Sequence, residues 1–184
     1  DGIFMANGNL HVERCIFLNN GYRGINILKT RGLVAQNNNF NYNDAVAAQS
    51  NINGNNTYRH ILADGFTTNA AVDINHNYFG CNFSDPEKVE DLRGIELIGG
   101  ATMGAGTSIR IDWNNFYFSQ AQVILYRSFG VLLSGTFPTN TSTIVEFNNF
   151  YIDQPTGNFG NSHIYGIMLN DGNKNQVQIY SNYF

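Results

Sequence analysis

The chain has 184 residues, a formal net charge of −4, a sequence pI of about 5.4 and only 13% charged side chains. Length allows one sizeable core, while the charge leaves neither a basic footprint for nucleic acid nor a block of like charge for an acidic lipid surface. No apolar run approaches the ~18 residues of a membrane span, and 42% apolar with 14% aromatic residues argues against a disordered polar tract despite 29 asparagines.

Two series of short strands alternate along the chain. The first comprises GIFM (2–5), GINI (24–27), AVA (45–47), GIEL (94–97), VIL (123–125) and GIML (166–169). The second comprises LHVERCIF (10–17), LVAQNNNF (33–40), VDINHNYF (72–79), IRIDWNNF (109–116), TIVEFNNF (143–150) and VQIYSNYF (177–184). In the second series the residues seven and five before the final Phe are mostly apolar, a period of two that marks a strand with one inward face. Two before the Phe stands Asn in five of the six copies; Cys15 takes that place in the first. Between the strands the turn-rich segments 48–70, 80–92, 98–107, 126–142 and 151–164 read as loops. The best helical candidate is a turn or two at 84–92, where Pro86 suits a helix start.

Spacing turns these strands into an architecture. Phe17 and Phe40 are 23 residues apart, close to one turn of a three-sided solenoid, and the later intervals are 39, 37, 34 and 34. A repeat that cannot bury its own apolar face must stack on its neighbours, with layers about 4.8 Å apart. Phe17, Phe40, Phe79, Phe116, Phe150 and Phe184 then form an inner aromatic stack. Asn38, Asn77, Asn114, Asn148 and Asn182 form a hydrogen-bonded amide ladder, each Asn expected in a left-handed conformation at a corner. A buried amide lacking such a partner would cost roughly 1–3 kcal/mol.

The string φ-x-φ-x-x-N-x-F with G-I-x-L resembles the right-handed parallel β-helix repeat of the pectin-lyase-like superfamily, from Gly2 to Phe184. The resemblance implies an all-β fold with three sheets: the G-I-x-L series in the first, the φ-x-φ series in the second, the Phe opening the third. About six coils with long loop insertions are expected, as one domain over 1–184. Both ends lack a cap, so a fragment of a longer secreted or cell-surface solenoid is expected.

The resemblance also places carbohydrate sites in a groove outside the first sheet. There the expected outward residues are Phe4, Asn26, Val46, Glu96, Ile124 and Met168, mostly an apolar stripe. Ca2+ takes 6–8 oxygen ligands, and only Glu96, with Asp91 and Asp171 nearby, qualifies; no cofactor is expected. Arg93 and Arg127 are the family-style choice for proton abstraction from a uronic acid, with Glu96 and His163 as further catalytic candidates. Arg59, His60, Tyr126 and Tyr165 are the binding candidates for an acidic sugar, His60 and His163 being placed in long loops. On the second sheet, Asp112 and Glu146 fall on adjacent coils, near the carboxylate spacing of retaining glycosidases; a solvated polar face in which Arg110 balances Asp73 and Asp112 is the simpler reading.

His76 reads as a corner residue, and Trp113 with most of the Phe as internal. Cys15 and Cys81 are too far apart for a disulfide, with Cys15 buried in the Asn column, and no zinc motif is present. Sequons at Asn55, Asn82 and Asn140 are explained by chance in so Asn-rich a chain. Two functions follow. One is a rigid scaffold that binds a glycan or a protein partner through its loops; the other is a polysaccharide lyase or glycoside hydrolase with its site among the loops.

Overall fold

The computed structural model describes residues 1–18, 20, 23–43, 57–82, 89–100, 106–119, 125–137, 140–152, 163–170 and 176–184. Fifteen strands lie among them: β1 (Ile3–Met5), β2 (Gly8–Glu13), β3 (Ile16–Leu18), β4 (Arg23–Gln36), β5 (Asn39–Asn43), β6 (Thr57–Asn75), β7 (Tyr78–Asn82), β8 (Val89–Ile98), β9 (Ser108–Asp112), β10 (Asn115–Ser119), β11 (Leu125–Ser134), β12 (Ser142–Glu146), β13 (Asn149–Ile152), β14 (His163–Asn170) and β15 (Gln176–Tyr180). The fold is all-β, and every strand pairing among the described residues is parallel.

The strands form two sheets where three were expected. Five make one sheet, in the order β13-β10-β7-β5-β3. The other ten form a strongly curled sheet, because β4 and β6 run unbroken through both strand series: β4 pairs with β1 and β2, and β6 with β8 and β9. Continuity along β6 also overturns part of the expected loop 48–70, since 57–70 is strand. Likewise 89–92 belongs to β8 and is not helical, 126–134 belongs to β11, and His163 opens β14. Register replaces two copies of the first series. Ile61-Leu62-Ala63 and Val131-Leu132-Leu133 align with Ile95-Glu96-Leu97, whereas 45–47 and 123–124 lie outside the described residues.

Inward side chains from both sheets meet in one apolar cluster, including Ile25, Ile61, Ile95, Leu33, Ile74, Ile111 and the Phe column from Phe17 to Phe150, whereas Phe184, at the end of the stack, is exposed. Successive Phe rings from Phe17 to Phe184 stack with centroids 4.5, 5.0, 4.8, 4.7 and 5.1 Å apart. Glycine recurs opposite this stack because there is no room for a side chain: a Cβ at Gly94 would lie 2.6 Å from the Phe116 ring and 2.7 Å from the Gly130 carbonyl oxygen.

The amide ladder forms as expected. Asn38, Asn77 and Asn114 each donate both the backbone N–H and Nδ2 at 3.0 Å to the Oδ1 of the next Asn. Asn148 does the same to Asn182, and each Nδ2 also reaches a backbone carbonyl, such as Asn114 to Ile74 at 2.8 Å. The left-handed residue, however, is the one before each Asn, and before Cys15 in the first copy: Arg14, Asn37, His76, Trp113, Phe147 and Ser181 have φ of 53–56°. That residue turns the chain and thereby aims the following amide inward. Non-glycine residues pay roughly 1–2 kcal/mol for this conformation, which the paired buried amide offsets. His76 is thus a corner residue as expected, and Cys15, at the end of the ladder, is exposed rather than buried.

Removing one rung should be costly. Asn114→Ala removes the Oδ1 that accepts from the Asn77 backbone N–H and Nδ2, and the Nδ2 that donates to Asn148 Oδ1 and the Ile74 carbonyl, so denaturant unfolding should show a loss of about 3 kcal/mol or more; an unchanged midpoint would refute the ladder as a stabilising element.

Candidate functional site

Three rows of side chains cross the outer face of the first strand series. Arg23, Arg59, Arg93, Phe129 and Tyr165 form one, Thr57, Asp91, Arg127 and His163 the second, and Asn26, Leu62, Glu96, Leu132 and Met168 the third. Leu62 and Leu132 therefore stand where Val46 and Ile124 were expected. Four of the sequence-derived candidates, Arg59, Glu96, Arg93 and Arg127, meet in a continuous ion-pair chain in which Arg93 is central and Asp91 links it to Arg127. Glu96 receives Arg59 on one oxygen and Arg93 on the other. Arg93 also reaches Asp91 at 2.6 Å, and Arg127 grips Asp91 through Nε at 2.7 Å and Nη2 at 3.0 Å.

The carboxylates are nearly inaccessible, Asp91 at 1% and Glu96 at 3% exposure, while the Arg127 side chain is 54% exposed. All four carboxylate oxygens already accept charge-assisted hydrogen bonds, the geometry of buried charges held by pairing. Arg93 also lies over the Phe129 ring at 5.7 Å, and Phe129 stacks on Tyr165 at 5.3 Å. The exposed His163 lies beside Tyr165, ring centroids 6.2 Å apart. Phe129 was missed in the sequence because register alone puts it in the arginine row. Tyr126 lies in β11, where only its backbone is described.

His60 is displaced from the candidate set. It lies in β6 at the position that Gly24 and Gly94 hold in adjacent layers. Its ring points into the core, 5.9, 5.7 and 6.2 Å from those of Phe40, Phe79 and Phe118. Burial lowers its pKa from 6.5 to about 3, against an opposing hydrogen bond to the Gly80 backbone. A neutral ring sealed among phenylalanines cannot meet an acidic sugar.

On the second strand series Asp112 and Glu146 are neighbours in register, but Arg110 lies between them, its Nε 2.9 Å from Asp112 and its Nη2 3.0 Å from Glu146. Asp73, the expected partner of Arg110, instead accepts from Asn75 at 2.7 Å. Burial raises the Asp112 pKa, with Arg110 opposing, and a hydrogen bond to Glu146 raises that of Tyr180. The two carboxylates share a guanidinium, so the space between them is filled where a glycosidase pair would admit the sugar.

Trp113 proves to be external, 52% exposed, because the left-handed corner turns it outward. It stacks on Phe147 at 4.6 Å and beside His76 at 6.1 Å. Cys81 is buried, and neither cysteine is in a disulfide. Asn140 is exposed in a turn, Asn82 lies in β7, and Asn55 is outside the described residues. Among the described residues no His, Cys, Asp and Glu side chains group as metal ligands, and no helix is long and apolar enough to cross a membrane. Compared with family models, curated proteins and solved structures, the chain matches none.

Two outcomes follow from this geometry. Glu96→Ala leaves the guanidiniums of Arg59 and Arg93 without their shared carboxylate and should cost about 3–5 kcal/mol, whereas Arg127→Ala, at the exposed end, should cost less; equal losses in urea titrations would contradict the chain of pairs. For His60, folding favours the neutral ring. Its stability is therefore complete above pH 6.5 and falls as pH drops below it, by about 1.4 kcal/mol per unit. Unfolding free energies measured between pH 6.5 and 5 should show that slope, and His60→Leu should remove it.

Proposed function

We propose that this chain is a length of right-handed parallel β-helix of the pectin-lyase-like kind, about six coils long, which acts outside the cell as a rigid scaffold binding a glycan. The parallel registers, the 34–39-residue layer intervals and the left-handed corners support the fold reading. One observation carries the functional reading: the groups that would serve a lyase or hydrolase are paired with one another, Arg93 and Arg127 with Asp91 and Glu96, and the Asp112–Glu146 pair with Arg110. Such networks hold the layers in place instead of leaving a proton acceptor open to substrate. Aromatic side chains, in contrast, stand exposed on the outer surface, where an apolar body with a polar edge suits sugar rings.

The competing enzymatic reading makes a distinct forecast. Incubated with polygalacturonate and with uncharged polysaccharides, the purified protein should release neither unsaturated products nor new reducing ends, yet be retarded by polysaccharide in affinity electrophoresis. Catalytic turnover that is lost in Arg127→Ala would overturn the scaffold reading.

A further inference from the structure

We propose that the corner between the second strand series and the five-stranded sheet is the glycan site, and that its ligand is an uncharged polysaccharide strand lying along the stacking axis. The proposal deepens the scaffold reading and rests on it. In residues 113–118 exposed and buried side chains alternate strictly, and the same holds for 147–151. The outward members are Trp113, Asn115 and Tyr117 in one layer and Phe147, Asn149 and Tyr151 in the next. Each layer thus presents an aromatic ring, an amide and another aromatic ring, with Asn115 opposite Asn149 and Tyr117 opposite Tyr151.

The rings form two ordered columns. Trp113 and Phe147 are 4.6 Å apart, and Tyr117 and Tyr151 4.8 Å apart with planes within 7°. All four remain accessible, at 52, 39, 40 and 50%. Between the columns Asn149 donates to Asn115 at 3.4 Å, and both amides keep donor and acceptor capacity toward solvent. A monomer is under selection against large exposed apolar patches; here amides interrupt the rings, a mixture unsuited to an apolar protein core.

Charge identifies the ligand class. The first strand series carries arginines and buried carboxylates, and the second carries Asp73, Arg110, Asp112 and Glu146. None of the six side chains of the aromatic–amide array is charged at neutral pH; the ionisable ring in contact with it, His76 beside Trp113, stands in the preceding layer. The array brings no fixed cation of its own to a uronate or a sulfated chain, but its amides and tyrosine hydroxyls can hydrogen-bond sugar hydroxyls and its rings give apolar contact area beside them. The layer repeat, about 4.8 Å, is comparable with one pyranose unit, so consecutive sugars meet equivalent side chains.

Trp113 is the chain's one tryptophan, so its emission reports directly on the site. Fluorescence titration with a soluble uncharged β-glucan, an uncharged galactomannan and polygalacturonate should shift Trp113 emission with at least one uncharged polymer and not with the acidic one. Trp113→Asn preserves the left-handed corner, since Asn37 adopts φ of 56° in the same column. Combined with Tyr151→Ser it should weaken affinity-electrophoretic retardation at least about tenfold with an unchanged melting profile. Retardation that persists in the double variant, or binding without any change in emission, would move the site to another face while the scaffold reading stands. Retardation of the native protein by none of the polymers would sink both. Concentration-dependent self-association that the double variant abolishes would assign the array to a second copy and overturn the glycan proposal.

Discussion

A buried asparagine amide has few ways to be satisfied, and the structure depends on the one it uses. With donors and an acceptor to place in a buried corner, each Asn is satisfied by the same residue one layer away. The ladder running from Asn38 to Asn182 meets that demand, and in doing so it sets the register of adjacent layers to the residue. The Phe stack two positions on inherits that register, as do the strands on either side. Hydrophobic burial supplies most of the stabilisation, but it is non-directional; the amides make one alignment better than its neighbours.

The corner that serves the ladder also shapes the surface. A left-handed residue before each Asn is forced outward, and at two layers that residue is aromatic, Trp113 and Phe147. The geometric requirement of a buried amide therefore creates an exposed ridge as its by-product. On the opposite strand series the outer surface is governed by charge instead, with Asp91 and Glu96 enclosed by Arg59, Arg93 and Arg127. One face is closed by its own ion pairs, whereas the six outward side chains of the aromatic–amide corner are open and uncharged, which is why recognition is proposed there.

His60 illustrates how a single position can depart from the repeat. Where adjacent layers place glycine against the phenylalanine stack, this layer inserts an imidazole, and desolvation forces it neutral. Read as a string, Arg59-His60 beside a turn-rich segment resembles a polar loop. The same two residues on a strand have opposite fates, Arg59 outward to Glu96 and His60 into the core, because adjacent side chains on a strand face opposite ways.

The local repeat by itself determined the Phe column, the Asn ladder, the period-two strands and their parallel stacking, since those patterns recur at fixed offsets and need no distant information. It also brought Asp112 beside Glu146 and marked Arg93, Glu96 and Arg127 as chemically interesting. Only the tertiary structure decided that β6 is continuous, that Leu62 and Leu132 occupy the outward row, that Asp91 joins the arginines, and that Trp113 faces solvent. Each of these depends on pairing between residues some 34–39 positions apart or on a backbone dihedral that side-chain identity does not specify. Register and corner geometry convert the same letters into buried or exposed side chains, and so set which groups the surface presents.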